Sequence, residues 1–389
     1  MKLLAAILLA PSIAVAGGTA VGEQNAVSAA TAGAGVARAD DPGAAWHDPA
    51  ALADDGGTRV GLSLAFAHPS LEAQTAAGSY DATSWATPPH LDASYAQDRW
   101  AAGIALGVPF GGGAAWPQTW PGANEAVRTD LQVFRAAPFF AYRFGVLRVA
   151  AGVHLDQGRL QVQRGLDFID TTGDVRLDLS GHGVGADASL YLQARPDLGV
   201  GLAYRGRTHL ALGGNANFTA PAAFSEKTPD QTATTAMTLP DQVVLGARWT
   251  RGALALLADV EYTAWHVNKT TEIDFANAST PHAVQDNSWH DTVAVRLGGE
   301  LARGRLTVRG GAYVDPSPVP ADHLGPTAPD GTRLGVTAGA SYALSRTWSA
   351  DAFGESMWIL RRDTTSMDTM AASYGGTAIV LGAGVRWTR

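Results

Sequence analysis

The sequence has no cysteine among its 389 residues, which excludes a disulfide framework and suits an exported protein that needs none. It has no basic excess either. Lys and Arg number 28 against 36 Asp and Glu, a formal charge of −8, so nucleic acid is not an expected partner. Although 46% of the residues are hydrophobic, none of them gather into the roughly 18 to 20 consecutive apolar positions that a membrane helix requires. The ten histidines are scattered, and His182 near Asp187 is too loose a spacing for a metal site. Gly33 and Gly35 lack the Gly-Lys-Ser/Thr of a phosphate loop and follow no strand. No metal and no cofactor are expected.

What is present begins with an export signal. Lys2 precedes an apolar run from Leu3 to Ala10, then Pro11 and the small-residue site Ala14-Val15-Ala16. Residues 1–16 therefore read as a signal peptide whose removal leaves Gly17 first. The 45 glycines and 11 tryptophans suit closely packed strands with interfacial aromatics better than a soluble α/β enzyme.

From about residue 58 the apolar residues recur at every second position, and no sustained helical period appears. Leu254, Leu256, Ala258, Val260, Tyr262 and Ala264 share one face, with Asp259, Glu261 and Thr263 on the other. The same alternation runs through Val293, Val295 and Leu297, through Leu306, Val308 and Ala312, and through Ile379, Leu381, Ala383, Val385 and Trp387. Strands are expected at 58–68, 88–97, 99–110, 132–144, 146–160, 182–195, 198–212, 237–250, 252–267, 290–302, 304–315, 333–345, 347–361 and 376–388.

Connections between these fourteen segments alternate. Short ones centre on Asp98, Gly145, Pro196-Asp197, Arg251-Gly252, Arg303-Gly304 and Ser345-Arg346, and long ones lie between. That alternation predicts an all-β, up-and-down antiparallel transmembrane barrel with periplasmic turns and extracellular loops. Trp100, Trp249, Trp265, Trp348 and Trp387 fall near strand ends, as girdle residues do.

Residues 17–57 differ from the barrel segment, 58–389, in being rich in Ala and Gly. Small residues let backbone pack closely in a confined space, and a barrel of about fourteen strands has a lumen wide enough to need filling. Within this segment lie Gly33 to Val36, Asp40-Asp41 and Asp48-Pro49-Ala50. The C-terminal half carries Leu239-Pro240, Asp259-Val260-Glu261-Tyr262-Thr263-Ala264-Trp265, Trp289-His290-Asp291-Thr292, Arg296-Leu297-Gly298-Gly299-Glu300 and Arg309-Gly310-Gly311-Ala312-Tyr313. In these motifs, and over nearly the whole mature chain, the sequence resembles the FadL/TodX family of outer-membrane transporters for long-chain fatty acids and aromatic hydrocarbons. Two departures stand out. Asp48 replaces the Asn of the family's Asn-Pro-Ala motif, and the chain ends Trp387-Thr388-Arg389 rather than on an aromatic.

The resemblance implies residues 17–57 as a hatch inside the lumen, with Asp40, Asp41, Asp48, Pro49 and Ala50 as its motif. It implies capture of a hydrophobic small molecule, a fatty acid or an aromatic hydrocarbon, on extracellular loops, then passage through the barrel and release sideways or past the hatch. No chemistry is required, so the chain is not expected to be an enzyme. It also implies a monomer in the bacterial outer membrane, surrounded by membrane lipid and lipopolysaccharide and folded by the barrel assembly machinery.

Candidate ligand-binding residues are Trp116, Trp120, Phe218 and Phe224 in long loops, with Pro117, Pro121 and Met237 nearby. In the lumen, Arg296 and Arg309 either meet a carboxylate head group or pair with Asp259, Glu261 or Glu300 across neighbouring strands. Two rivals are weighed against transport. His290-Asp291 after Ser288-Trp289 suggests a rim hydrolase, but adjacent strand residues point to opposite faces. A nonspecific porin would have no need of residues 17–57.

Overall fold

The computed structural model describes residues 19–22, 24–54, 56–168, 171–367 and 369–389; the expected signal peptide, 1–16, lies outside these. In chain order the first strands are β1 (Gly57–Thr75), β2 (Gly78–Thr83), β3 (Pro89–Gln97), β4 (Trp100–Ala115), β5 (Arg128–Phe144) and β6 (Leu147–Asp167). Next come β7 (Thr172–Arg195), β8 (Leu198–Arg205), β9 (Thr208–Thr219), β10 (Gln231–Leu239), β11 (Gln242–Arg251), β12 (Leu254–Thr263) and β13 (Thr270–Phe275). The last are β14 (Ala283–Asp286), β15 (Thr292–Arg303), β16 (Leu306–Asp315), β17 (Arg333–Ala343), β18 (Trp348–Asp363) and β19 (Ala372–Thr388).

Every pairing is antiparallel, and β1 bonds β19 from Arg59↔Thr388 to Thr75↔Ala372, which closes the sheet on itself. β8 and β9 are one wall strand interrupted at Gly206-Arg207, and β11 and β10 are another interrupted at Pro240-Asp241. With β2, β13 and β14 standing on the extracellular hairpins, the wall is a closed barrel of fourteen strands.

The period of two explains which face each side chain takes. On β12, Leu254, Leu256, Val260 and Tyr262 are exposed on the outer face, while Ala255, Leu257 and Asp259 are buried. Leu245, Leu297, Val308, Val336 and Leu381 continue the exposed apolar band around the barrel, where lipid rather than water covers them. The short turns need left-handed backbone, and Asp98, Gly145, Gly252 and Gly304 supply it at φ of 56°, 65°, 60° and 62°.

At the short-turn end, Trp100 packs with Tyr95 and stacks on Phe140 at centroid distances of 5.7 and 6.1 Å, and Trp348 stands opposite Trp387. Trp265 departs from the girdle expectation. The strand ends at Thr263, a short 3-10 turn follows, and Trp265 is turned inward, 3% exposed, against Phe110 and Trp289. Several strands also run past the expected ends into the extracellular hairpins; β7 starts at Thr172 rather than 182. Its upper half pairs with β9, so it stays extended outside the lipid layer.

Candidate functional site

The described part of residues 19–54 lies inside this cylinder. It holds α1 (Ala26–Ala29) and α2 (Ala44–His47), each a single turn, and nearly all of it from Gln24 to Ala53 is buried. Asn25 caps α1, its side-chain oxygen accepting from Ser28 N at 2.9 Å. Ala32 (φ 59°) and Gly33 (φ 80°) then reverse the chain, with Gly33 N donating to Ser28 O at 2.8 Å. A side chain at Gly35 would strike the His47 ring, since its Cβ would sit 2.9 Å from that ring. The small residues therefore let the segment fold back on itself.

Strands from all round the wall hold this inner segment. Asp259 of β12 accepts from Gly35 N at 2.8 Å and Val36 N at 3.1 Å. Arg38 pairs with Glu300 of β15, Asp40 with Arg248 of β11, and Asp41 with Arg386 of β19, at 2.8, 2.9 and 2.8 Å. Thr337 of β17 accepts from Ala32 N and donates to Ala30 O. Arg205 of β8 donates to Trp46 O at 2.9 Å and His47 O at 3.4 Å.

Asp48 caps the 3-10 turn Pro49–Leu52. Its Oδ1 accepts from Ala50 N at 3.1 Å, and the same amide reaches Ser189 Oγ at 3.0 Å. Its Oδ2 is buried without a hydrogen-bond partner among the described residues. Burial pushes this carboxyl up to about 8, against the lowering influence of Ser189, the Ala50 and Ala51 amides and Arg205. Burial, with Arg205 beside it, holds the His47 imidazole well below its ordinary value.

A ring of inward polar side chains lies just above the inner segment. Arg135 makes a two-bond pair with Asp156 at 2.8 Å each, His154 bridges Asp187 and Thr208 at 2.8 Å each, and His90 meets Asp92 at 2.9 Å. On the other side Arg296 pairs with Glu261 at 3.2 Å and Arg333 with Asp315 at 2.6 Å. Above the ring the lining turns apolar: Phe110, Leu131, Val133, Leu179, Leu210, Leu212, Leu239 and Trp265 form one buried cluster, with Phe218, Met237 and Trp289 packed on it.

Trp116 and Trp120, stacked at 4.5 Å, belong to a second buried cluster under the extracellular loops. Their indole N–H groups donate to Pro326 O and Ala126 O. Phe218 lies against Phe275, and Phe224, 39% exposed, against Phe168. Arg296 also covers the Tyr313 ring at 5.3 Å, and Arg309 bonds Glu300 and Ser341. His290 and Asp291 do not gather with a serine: Asp291 takes Tyr262 and His266, and Ser288 bonds Asp286. Among the described residues no group of three or more His, Asp or Glu is arranged to hold a metal.

The wall itself is incomplete at one place. β3 and β4 pair only between Leu91↔Leu106 and Gln97↔Trp100. Beyond that β4 bulges at Val108-Pro109, and its free edge is taken by the chain's own start, with Val21 N donating to Pro109 O and Gly111 N to Thr19 O. Sequence reading missed Arg135, His154 and Arg205, because alternation tells that they face inward but not which partners they meet across the ladder.

A family model described as outer membrane protein transport protein (OMPP1/FadL/TodX) matches residues 7–388. No curated protein matches the chain. Among solved structures, a Pseudomonas aeruginosa FadL homologue superposes with a TM-score of 0.87 at 17% identity, covering 95% of this chain and 99% of that one. The Pseudomonas putida toluene transporter TodX gives 0.76 at 16%, covering 94% and 98%. The Ralstonia pickettii toluene transporter TbuX gives 0.70 at 19%, covering 93% and 98%.

Proposed function

Because this chain belongs to the FadL/TodX family of outer-membrane transport proteins, we propose that the hydrophobic compound it carries across the bacterial outer membrane is a long-chain fatty acid. The observation behind this choice of cargo is a buried, under-used pair of cations beside a small cavity, below a buried apolar cluster. Arg135 gives two N–H groups to Asp156, and its Nη1 is buried with no hydrogen-bond partner among the described residues. Arg205 donates to the backbone carbonyls of Trp46 and His47. Both border a small cavity walled by Trp46, Phe139, Ala137 and Ala150. A desolvated guanidinium with a spare N–H is matched by a carboxylate, and the buried leucine cluster above has the apolar character that suits an alkyl chain.

In this reading the cargo meets the exposed Phe224 and the neighbouring Phe218 first, passes the loop cluster of Trp116 and Trp120, and lies along the apolar residues that line the barrel above the polar ring. Arg296 and Arg309 are engaged by Glu261 and Glu300 and hold the wall together, so the head group falls to Arg135 and Arg205. Residues 17–57 act as the hatch, with Asp40 and Asp41 tying it to the wall and Asp48-Pro49-Ala50 shaping its last turn. No step makes or breaks a covalent bond.

An aromatic hydrocarbon, the cargo in the names of TodX and TbuX, has no charge for these arginines to recognise. Displacement of a fluorescent long-chain fatty acid from the detergent-purified barrel separates the two. Oleate should compete and toluene should not, and Arg205→Gln should weaken oleate by about tenfold, the scale of one charged hydrogen bond. Competition by toluene alone, or an Arg205→Gln variant that binds oleate as well as the parent, would rule out the fatty-acid reading.

A further inference from the structure

The wall is not level at its extracellular end. On β6 and β7 the last outward apolar side chains are Leu155 and Val184, 52% and 60% exposed, yet both strands continue and stay paired as far as Asp167↔Thr172. From there the outward positions carry Gln157, Arg159 and Gln161 on β6 and Ser180, Asp178 and Arg176 on β7. Arg159 gives two N–H groups to Asp178 at 3.0 and 2.7 Å, and Gln161 adds a third bond at 3.3 Å. The strip is polar, and its charges are matched.

This strip leads up to a cleft of about 560 Å³, within the roughly 300 to 1,000 Å³ of sites that hold a small ligand. Its floor is the outward face of β6, β7 and β9, with Gln163, Asp174, Arg176 and Thr219. Its rim is the loop 116–127, from which Gln118 and Asn124 are exposed. Asp174 fixes the floor: it accepts from Gln163 Nε2 at 3.1 Å and from Arg176 Nε at 2.8 Å, while the Arg176 side chain stays 62% exposed. The rim is fixed as well, with Gly165 N donating to Ala123 O at 2.6 Å and Val127 N to Gln163 O at 2.8 Å. Pro121 and Leu166 add a small apolar patch, which suits the C–H face of a sugar ring.

Height decides what this cleft meets. Gln163 stands eight residues beyond Leu155 on β6, about 26 Å along a strand that rises ~3.3 Å per residue, and roughly 20 Å above the lipid for a strand tilted about 40°. In an outer membrane that layer holds the sugars of lipopolysaccharide rather than its acyl chains. Chemistry agrees with height. Side-chain amides both donate and accept, as sugar hydroxyls do, whereas an alkyl chain here would take Gln118, Asn124 and Gln163 out of water and return no hydrogen bonds. The one guanidinium of the lining faces the carboxylates of Asp167 and Asp174, so a phosphate is a poor match too.

We infer that this cleft is a binding site for the core saccharide of lipopolysaccharide, with Asn124, Gln163 and Arg176 as contact residues and Asp174 holding the last two in place. The inference rests on the outer-membrane placement of the barrel and is independent of which cargo it carries. A saccharide seated here also braces the loop on which Trp116 and Trp120 stack.

The full-length protein in detergent is titrated with two lipopolysaccharides that share one lipid A: a form with a complete core and no O-antigen, and a form truncated to lipid A and its first sugar acids. Native mass spectrometry counts what stays bound. The complete-core form should reach half-saturation at about tenfold lower concentration, and free core oligosaccharide should compete that advantage away. Gln163→Ala with Arg176→Ala should abolish the preference and leave binding of the truncated form unchanged. Gln118→Ala with Asn124→Ala, on the loop rather than the sheet, should do the same, and the shift in gel mobility on heating reports that each barrel is folded. Equal affinity for the two forms, or a preference that survives both pairs of substitutions, would overturn the inference. Competition by lipid A but not by the oligosaccharide would overturn it as well, by placing the contact at the level of the lipid.

Discussion

Arg38 and Glu300 meet at 2.8 Å with side chains only 3% and 6% exposed. Glu300 also accepts from Arg309 at 2.9 Å and lies 3.4 Å from Arg248. One carboxylate therefore offsets several guanidiniums where the inner segment meets the wall.

Glu300→Gln should loosen that junction severely, by about 3–5 kcal/mol, because cations would be left buried without their counter-charge. Arg38→Met should cost less, and adding it to Glu300→Gln should restore part of the loss. A double-mutant cycle on urea-induced release of the segment measures this. Simple additivity of the two losses would show that the pair is not coupled.

Asp48 gives the docking of the segment a pH dependence. Its carboxyl is raised from 3.8 to about 8 inside the barrel, so the docked state keeps a proton that a released, solvated Asp48 gives up. Docking is then strongest below about pH 4 and weakens by about 1.4 kcal/mol per unit as pH rises toward about 8, beyond which it levels off. Bilayer conductance should rise with pH over that window in the parent protein and stay flat in Asp48→Asn. Parallel profiles would mean that Asp48 does not titrate there.

The loop aromatics divide by burial. Trp120→Ala opens a packed cluster in which Trp120 is 2% exposed, and about 3–5 kcal/mol of local packing should go with it. The extracellular loops should then be cut readily by protease. Phe224→Ala removes an exposed ring and should leave protease resistance intact while slowing fatty-acid association in stopped flow.

On the outer face, Leu297→Arg, at the middle of β15, should destabilise the barrel by about 2–4 kcal/mol. Thr307→Arg faces inward, where charge is already tolerated, and should be milder. Urea titrations in lipid vesicles compare the two, and equal losses would contradict the assignment of faces.

Most of the architecture was legible because period-two alternation and left-handed turn residues are local signals. Leu254 to Tyr262 declare a greasy face, and Gly145, Gly252 and Gly304 declare the turns. Trp265 was misread because a girdle tryptophan and an inward one look alike until the strand is known to stop at Thr263. The extension of β7 above the membrane was missed because its upper half is polar outside, and its pairing with the extended end of β6 and with distant β9 leaves no outward apolar alternation to read. Arg135 and Asp156, 21 positions apart, could not be matched from one sequence, since alternation fixes the face but not the register that brings partners together. Val36 carried no signal of its own; its place depends on Gly201 and Gly246, from strands far along the chain, whose missing side chains leave it room.

The free edge of β4 has a practical consequence for anyone who labels this protein. Thr19 and Val21 bond into that edge, so a reporter fused just ahead of them would compete with the wall for the same backbone groups or be forced into the lumen. Arg389, exposed and bonded to Thr58 at the mouth of the barrel, offers the better attachment point. A fluorophore placed there reports on the short-turn mouth of the barrel and leaves the β4 edge to its own partners.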